Sequence, residues 1–293
     1  LMPRSVLLSG IEVRDSVFDN LQSRINSLKS NKITPGLAVV LVGDNPASKV
    51  YVSSKSKAFK RLGLHTKTFK LPSKTTQYEL AELIKELNQN KVYHGILVQL
   101  PLPNQIDSEY IVNCIIPEKD VDGFHPNNAG LLSIGKPRFI PCTPKGIMRI
   151  LSYYRIDLQG KHIVVIGRSN IVGRPISILT SLKNKNANGT TTICHSGSSD
   201  IPSFTKKADI VIVALGVPEF LTGNMIKKGS VIIDVGINRV DDGSEKGYHL
   251  VGDIKWDEIN GKASAVTPVP GGVGPMTIAM LVENTIEAAE NLT

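Results

Sequence analysis

Lys161-His162-Ile163-Val164-Val165-Ile166-Gly167-Arg168-Ser169-Asn170-Ile171-Val172-Gly173-Arg174-Pro175 is the stretch on which the fold turns. Its unbroken apolar run ending at Ile166 reads as a strand buried on both faces, as in a parallel sheet. Gly167 ends the strand, and the residues from Gly173 open a helix, with Pro175 in a first turn that needs no backbone donor from it. Strand, glycine turn and helix are the layout of a dinucleotide-binding βαβ unit, in which backbone donors at the helix start face a pyrophosphate. The spacing departs from Gly-x-Gly-x-x-Gly: Ser169 occupies the second glycine place and the next glycine is Gly173. A glycine-tight turn without ligand fits the same residues. If the unit does bind a cofactor, Gly167, Arg168, Ser169, Val172 and Gly173 are its candidate contacts.

The following strand, Thr190 to Cys194, ends in His195-Ser196. A unit specific for NAD usually carries Asp or Glu there to hold the ribose hydroxyls. The missing acid, Arg168 in the turn and Ser196 at the strand end favour a 2′-phosphate, because a guanidinium meets phosphate with two parallel hydrogen bonds. The expected cofactor is therefore NADP rather than NAD. Strand-like runs recur at Ile210–Ala214 and Val231–Val235, with a poorer one at His249–Val251. The first two end in Leu215-Gly216 and Gly236-Ile237-Asn238, where glycine lets backbone approach a flat ring closely. Ile237 joins His195 and Ser196 among the expected cofactor contacts.

Upstream, the same alternation occurs. A periodic apolar stripe over residues 10–30 predicts a surface helix. Leu37–Val42 reads as a buried strand ended by Gly43, and Asp44 or Asn45 caps a helix from Pro46 to Leu62. Tyr51 and Lys55, four apart, share a face of that helix. They project from a strand-to-helix mouth of the kind where α/β sheets bind ligands. On spacing alone they equally fit a solvated lysine beside a half-buried tyrosine. A strand near His65–Phe69, a helix through Leu80, Ile84 and Leu87, and a strand Gly95–Val98 follow. Gln99 stands where that last strand runs out, at the same mouth as Lys55. Alternating strands and helices predict a parallel sheet with right-handed crossovers. In the loop Pro117–Gly123, Asp120 and Asp122 alternate around Val121, so if the loop is locally extended one carboxylate can face a site while the other caps a turn; a solvated acidic loop fits the same residues. The stiff join Pro141-Cys142-Thr143-Pro144 marks a domain boundary, followed by a short helix to Tyr154. Near the end, Thr267–Thr277 is a Pro- and Gly-rich, strongly turned loop with a place for a cis-proline, before a closing helix Ile278–Ala289.

Bulk properties exclude other classes. The net charge of +8 comes from dispersed basic residues, and aromatics make up only 5%, without a ribonucleoprotein pattern; nucleic acid is not the expected partner. No apolar run approaches a membrane span. Cys114, Cys142 and Cys194 are far apart and show no metal-ligand spacing, so no metal is expected and the thiols read as free, in a reducing cytoplasm. Leu1-Met2 looks like a trimmed end. No secretory leader is visible, which leaves room for a removed organellar targeting segment.

Assembled in order, Tyr51-Val-Ser-Ser-Lys55, Val98-Gln99-Leu100-Pro101-Leu102-Pro103, Lys119-Asp120-Val121-Asp122-Gly123, Gly167-Arg168-Ser169 through Val172-Gly173-Arg174-Pro175, and Pro270-Gly271-Gly272-Val273-Gly274-Pro275-Met276-Thr277 closely resemble the bifunctional methylenetetrahydrofolate dehydrogenase/methenyltetrahydrofolate cyclohydrolase (FolD) family over nearly the whole chain. The resemblance implies two α/β domains flanking a deep cleft. Residues 1–142, completed by a C-terminal helix at 275–293, would bind folate, and residues 143–274 would form a Rossmann-type NAD(P)-binding domain. It also implies a homodimer of one-carbon metabolism acting on tetrahydrofolate substrates, polyglutamylated ones included. The implied reactions are NADP-dependent oxidation of 5,10-methylenetetrahydrofolate and hydrolysis of the methenyl product to 10-formyltetrahydrofolate. Within that expectation Tyr51 supports the benzoyl ring, and Asp122 accepts the pterin's ring N–H and amino donors. Lys55 moves the proton in hydrolysis, provided that burial or nearby positive charge lowers its pKa, and Gln99 orients it. Val98 and Leu100 flank Gln99 in the substrate site, which Gly274 and Pro275 wall.

Overall fold

The computed structural model describes residues 4–244 and 247–292; Leu1 and Met2, read above as a trimmed end, lie outside them. In chain order the elements are β1 (Val6–Leu7), α1 (Gly10–Ser30), β2 (Gly36–Val42), α2 (Pro46–Arg61), β3 (His65–Leu71), α3 (Gln77–Gln89), β4 (Gly95–Val98), α4 (Ser108–Cys114) and α5 (Pro126–Ser133). They continue with α6 (Cys142–Tyr153), β5 (His162–Ile166), α7 (Gly173–Ser181), β6 (Thr190–Cys194), α8 (Ile201–Thr205), β7 (Ile210–Val213) and β8 (Val231–Asp234). Last come β9 (Asn238–Asp241), β10 (Tyr248–Val251), α9 (Trp256–Ile259), β11 (Ala265–Val266) and α10 (Val273–Asn291). The chain divides into two compact units, one made of the residues up to Asp15 with Thr143–Thr277, the other of Ser16–Cys142 with Ile278 onward.

This division differs from the expected 1–142/143–274/275–293 scheme at two places, and packing explains both. The first strand leaves the Ser16–Cys142 unit because β1 pairs in parallel with β11, Val6 opposite Ala265 and Leu7 opposite Val266. The C-terminal boundary falls after Thr277 rather than Gly274. A Cβ on Gly146 would lie 2.7 Å from Met276 Cβ, and the Thr143 and Thr277 hydroxyls share a 3.0 Å hydrogen bond. Beyond that point α10 belongs to the other unit, where Asn284 Nδ2 donates to Val121 O (2.8 Å) and Ile140 O (3.0 Å).

In the Ser16–Cys142 unit a parallel sheet runs β3-β2-β4. All seven residues of the central β2 are buried, which is why Gly36–Val42 is apolar without alternation. Its Ala38, Val40 and Val42 pack with Ile96 and Val98 of β4 and with Leu80, Ile84 and Leu87 of α3. The other unit holds a six-stranded parallel sheet in the order β1-β11-β8-β7-β5-β6. Here β5 lies between β6 and β7, so the chain reverses its direction of growth at β5, the switch point at which doubly wound sheets bind ligands. The unit is a Rossmann-type α/β fold, with Val164, Ile166, Val211, Val213 and Ile232 in its core. The poorer run near His249 is a strand, but of a separate two-stranded sheet rather than of the six-stranded one. As β10 it pairs antiparallel with β9, its edge position shown by half-exposed residues and by Arg239 lying over the Tyr248 ring at 4.6 Å.

Candidate active site

The α2 helix begins where the sequence places it. Asn45 caps it, accepting from Ser48 N at 3.0 Å, and Pro46 takes the first turn. Its buried face is Ser48, Val52, Lys55 and Phe59, spaced four, three and four apart. Lys55 thus occupies a place in the apolar stripe and is only 9% exposed, whereas Tyr51, one turn earlier, is 43% exposed. A lysine in a helical core stripe is a readable signal that a buried amine has a partner. That partner is Gln99: Lys55 Nζ donates to Gln99 Oε1 at 3.0 Å. The amide is itself fixed, its Nε2 donating to Leu100 O (2.8 Å) and its backbone N to Val40 O (2.9 Å). Gln99 follows β4 directly, with Val98 buried before it and a cis peptide between Leu100 and Pro101 after it.

The two loop carboxylates divide their work. Asp120 is buried and caps the turn, accepting from His125 N and Asn128 Nδ2, both at 2.8 Å. Asp122 is held from Cys142, whose Sγ lies 3.5 Å from Oδ1. Burial pushes the Asp122 carboxyl above its ordinary range; the Lys55 ammonium works against the rise and the Asp120 charge adds to it. Tyr51, Lys55, Val98, Gln99, Leu100 and Asp122 therefore all belong to one unit, with Lys55 tied to Gln99 and electrostatically coupled to Asp122. Gly274 and Pro275 lie in the other unit. There they line a cavity of about 150 Å³ together with Gly236, Ile237 and the loop from Pro268, whose Val269-Pro270 peptide is cis.

Cys142 is the contact that sequence reasoning did not find. The expectation of a thiol outside any disulfide holds, and its Sγ in addition lies within donating distance of Asp122 Oδ1 (3.5 Å) and Val121 O (3.6 Å). Twenty residues, α5 among them, separate Cys142 from Asp122, and no spacing rule reaches that far.

At the switch point, Gly167 has φ +125°, and a Cβ there would fall 2.4 Å from Ala214 O. A Cβ on Gly173 would fall 2.3 Å from Gly167 O, so strand end and helix start meet only as glycines. Ser169 changes the expected use of the helix start. Its Oγ accepts from Val172 N (3.1 Å) and Gly173 N (3.3 Å), and its carbonyl accepts from Arg174 N (3.0 Å). Those amides are occupied rather than bare, because the serine at the second glycine place takes them with its hydroxyl and carbonyl, while the N-cap Val172 makes no side-chain bond. Beside it, Arg168 Nη1 lies 3.3 Å from His195 Nε2, across the ends of β5 and β6. Gly197 N faces the other ring nitrogen, 3.0 Å from His195 Nδ1. Arg168 and His195 thus sit side by side at the strand ends, with Ser196 exposed next to them. Among the described residues no group of three or more His, Cys, Asp or Glu side chains could hold a metal ion. No helix among them is long and apolar enough to cross a membrane.

A switch-point glycine turn with a basic strand end, on a chain that also carries a buried Lys–Gln pair, defines a nicotinamide-dinucleotide-binding α/β enzyme. The chain belongs to the tetrahydrofolate dehydrogenase/cyclohydrolase family: the pattern of the family's catalytic domain matches residues 8–122 and that of its NAD(P)-binding domain residues 141–293. The chain is 51% identical over 284 residues to the bifunctional protein FolD of Geotalea daltonii, covering 97% of this chain and 98% of that protein. It is similar to the crystal structure of the bifunctional FolD enzyme of Campylobacter jejuni, with a TM-score of 0.93, 47% identity, and 99% and 100% of the two chains covered. It is also similar to Trypanosoma brucei FolD in complex with NADP cofactor and an inhibitor, with a TM-score of 0.94, 36% identity, and 99% of each chain covered.

Proposed function

We propose that this protein oxidises 5,10-methylenetetrahydrofolate to the methenyl compound with NADP+ and hydrolyses that product to 10-formyltetrahydrofolate, with the buried Lys55–Gln99 pair as the proton-handling centre. The observation that carries it is the 3.0 Å bond from Lys55 Nζ to Gln99 Oε1, in a stripe otherwise made of core residues. Hydrolysis begins with water adding to the methenyl carbon and ends with a ring C–N bond breaking; the water gives up one proton on addition and its second as its oxygen becomes the formyl carbonyl, so that one proton reaches the departing nitrogen and one leaves to solvent. A single amine serves both steps, as base and then as acid. Gln99 holds the amine in place through its carbonyl while its own amide is tied to Leu100. Tyr51, exposed one turn earlier, offers its ring as the surface for the folate's benzoyl group. Asp122 accepts the pterin donors: burial disfavours its charge, and ring N–H groups arriving at the carboxylate stabilise it.

NADP+ supplies the hydride acceptor. The chain's part in that step is to align two rings, which is mainly positioning. Arg168, with the His195 ring 3.3 Å away, complements an acceptor-only group such as the 2′-phosphate, with Ser196 beside them. Gly167, Ser169, Val172 and Gly173 bring backbone close to the diphosphate, and the Leu215-Gly216 and Gly236-Ile237 loops receive the nicotinamide ring. Gly274 and Pro275 wall the substrate. The enzyme works as a cytoplasmic homodimer on tetrahydrofolates, polyglutamylated forms included. Its three free cysteines suit a reducing compartment.

The test is the purified protein with methylenetetrahydrofolate and either nicotinamide cofactor, followed by the absorbance of the methenyl compound. Methenyltetrahydrofolate is expected to form and then decay to 10-formyltetrahydrofolate, with a lower KM for NADP+ than for NAD+. Failure to form it with either cofactor would refute the activity; equal use of both would refute the role of Arg168 and His195.

A further inference from the structure

Two buried carboxylates under the ends of β7 and β8 take no part in the chemistry above. Asp253 has no exposed surface and Asp234 is 1% exposed. Asp253 Oδ2 accepts from Leu215 N (2.7 Å) and Gly216 N (2.9 Å), and its Oδ1 accepts from Asn238 Nδ2 (2.8 Å). One side chain thus holds the loop after β7 and the loop after β8 together. Asp234 secures it from behind: its Oδ1 accepts from Asp253 N (2.9 Å) and Gly236 N (3.0 Å), and its Oδ2 from Ile254 N (3.2 Å). Two glycines make room for the pair. A Cβ on Gly236 would lie 2.1 Å from Asp253 Oδ1, and the Cβ of any residue at Gly252 would overlap Asp234 Oδ2. Taking two carboxylates out of water is costly and adds little that apolar residues would not supply to a core. The arrangement is explained by what it orients: five N–H groups and one amide, all on strand-end loops.

We propose that Asp253 is the positioning residue for the nicotinamide end of the cofactor site, a carboxylate beneath Leu215-Gly216 and Gly236-Ile237-Asn238 that sets both loops in one arrangement, with Asp234 fixing Asp253 in turn. It rests on the reading that these loops receive the nicotinamide ring. Ile237, at the tip of the second loop, is 42% exposed, so the side chain that would meet the ring is presented by a backbone anchored entirely from below. Hydride transfer depends on ring placement within a few tenths of an ångström, and slack in either loop weakens cofactor binding before anything on the folate side changes.

Asp253→Asn keeps the size but leaves one acceptor oxygen where the carboxylate offered two to the donors of Leu215, Gly216 and Asn238. It is expected to raise the KM for NADP+ tenfold or more, with the KM for methylenetetrahydrofolate and the hydrolysis of added methenyltetrahydrofolate within twofold of the unmutated protein. Asn238→Ala, a milder removal of one donor, raises the NADP+ KM three- to tenfold. The double variant Asp253→Asn with Asn238→Asp restores the complementary donor and acceptor and recovers most of the loss, which a general weakening of the fold would not do. NADP+ KM values within twofold of the unmutated protein in both single variants, folded by circular dichroism, would overturn the proposal; so would a double variant no better than Asp253→Asn. If Asp253→Asn does not fold, Asn238→Ala alone decides. Ile237→Asp separates the two levels of the argument. An unchanged NADP+ KM there overturns the loop's role as cofactor contact, and the proposal with it. A raised KM in Ile237→Asp beside unchanged Asp253 and Asn238 variants overturns the positioning role alone.

Discussion

Burial pushes the Asp122 carboxyl up while Lys55 pulls it back, so the charge of this one side chain is set by its neighbours rather than by water. A carboxylate in that condition gains most from new donors. Asp122→Ala should therefore weaken both activities together, through lost anchoring of the pterin. A charged hydrogen bond is worth roughly 1.5–3 kcal/mol, or about ten- to a hundredfold in affinity or rate. Steady-state kinetics of the two half-reactions check this, and unchanged constants in both would make Asp122 a mere loop residue. The alternation of Asp120 and Asp122 around Val121 predicts one capping carboxylate and one for the site. The hydrogen bonds of Asp120 to His125 and Asn128 identify the capping one. What local spacing could not convey is the thiol beside Asp122 or the clamp at Asp253, because those contacts join residues about 20 and 40 apart.

Elements with a strong period or a long apolar run were legible to within a residue or two, except the closing helix: expected over Ile278–Ala289, it runs over Val273–Asn291, so that the end of the expected Pro- and Gly-rich loop is already helical. The β6 strand runs from Thr190 to Cys194 as expected, and α2 from Pro46 ends one residue early, at Arg61. Elements too short to carry a period were not. The two-residue strands β1 and β11 owe their existence to each other's backbone, and the helices α4 and α5, at Ser108–Cys114 and Pro126–Ser133, hold fewer than three turns each. The turn from β5 into α7 is the element on which the proposed cofactor binding depends, and Gly173 is its tightest point. Gly173→Ala would drive a methyl to 2.3 Å from Gly167 O, so strand end and helix start must separate. The expected result is a rise of tenfold or more in the NADP+ KM while hydrolysis of added methenyltetrahydrofolate stays within threefold. A variant that folds and retains the original KM would show that the turn tolerates separation without cost to the cofactor.

At the scale of the whole molecule, the chain's stability carries the mark of one acid. Burial lifts the Asp234 carboxyl to about 7, and the charge of Asp253 adds to the rise. In the unfolded chain the same group titrates near 3.9. Between those values the folded protein holds a proton that the unfolded chain has released. This group's contribution to stability therefore falls as pH rises, by about 1.4 kcal/mol per pH unit, and levels off above pH 7. Asp234→Asn cannot lose that proton. Whatever its offset at pH 5, its melting temperature should rise relative to the unmutated protein from pH 5 to pH 7 and then run parallel to it. Thermal unfolding at half-unit intervals reads this directly, and a constant difference across the range would show that Asp234 is ionised throughout. The division into two units was legible from the Pro141–Pro144 join and the restart of strand–helix alternation. The return of the described residues up to Asp15 to the unit of Thr143–Thr277 was not, because it depends on one short ladder that pairs Val6 and Leu7 with Ala265 and Val266, about 260 residues away in the chain.

The central claim is that Lys55 carries the proton in hydrolysis and is dispensable, at a cost, for hydride transfer. Lys55→Met keeps the length of the side chain and its place in the buried stripe of α2 while removing the amine. The measurement is the rate of hydrolysis of added methenyltetrahydrofolate, set against the NADP+-dependent dehydrogenase rate of the same preparation. Loss of a general acid–base group costs about 10²–10⁴-fold. Hydrolysis should fall by that factor, the dehydrogenase by much less, and methenyltetrahydrofolate should accumulate during turnover. Hydrolysis by Lys55→Met at near the unmutated rate would mean that another group moves the proton, and would contradict the account of the Lys55–Gln99 pair.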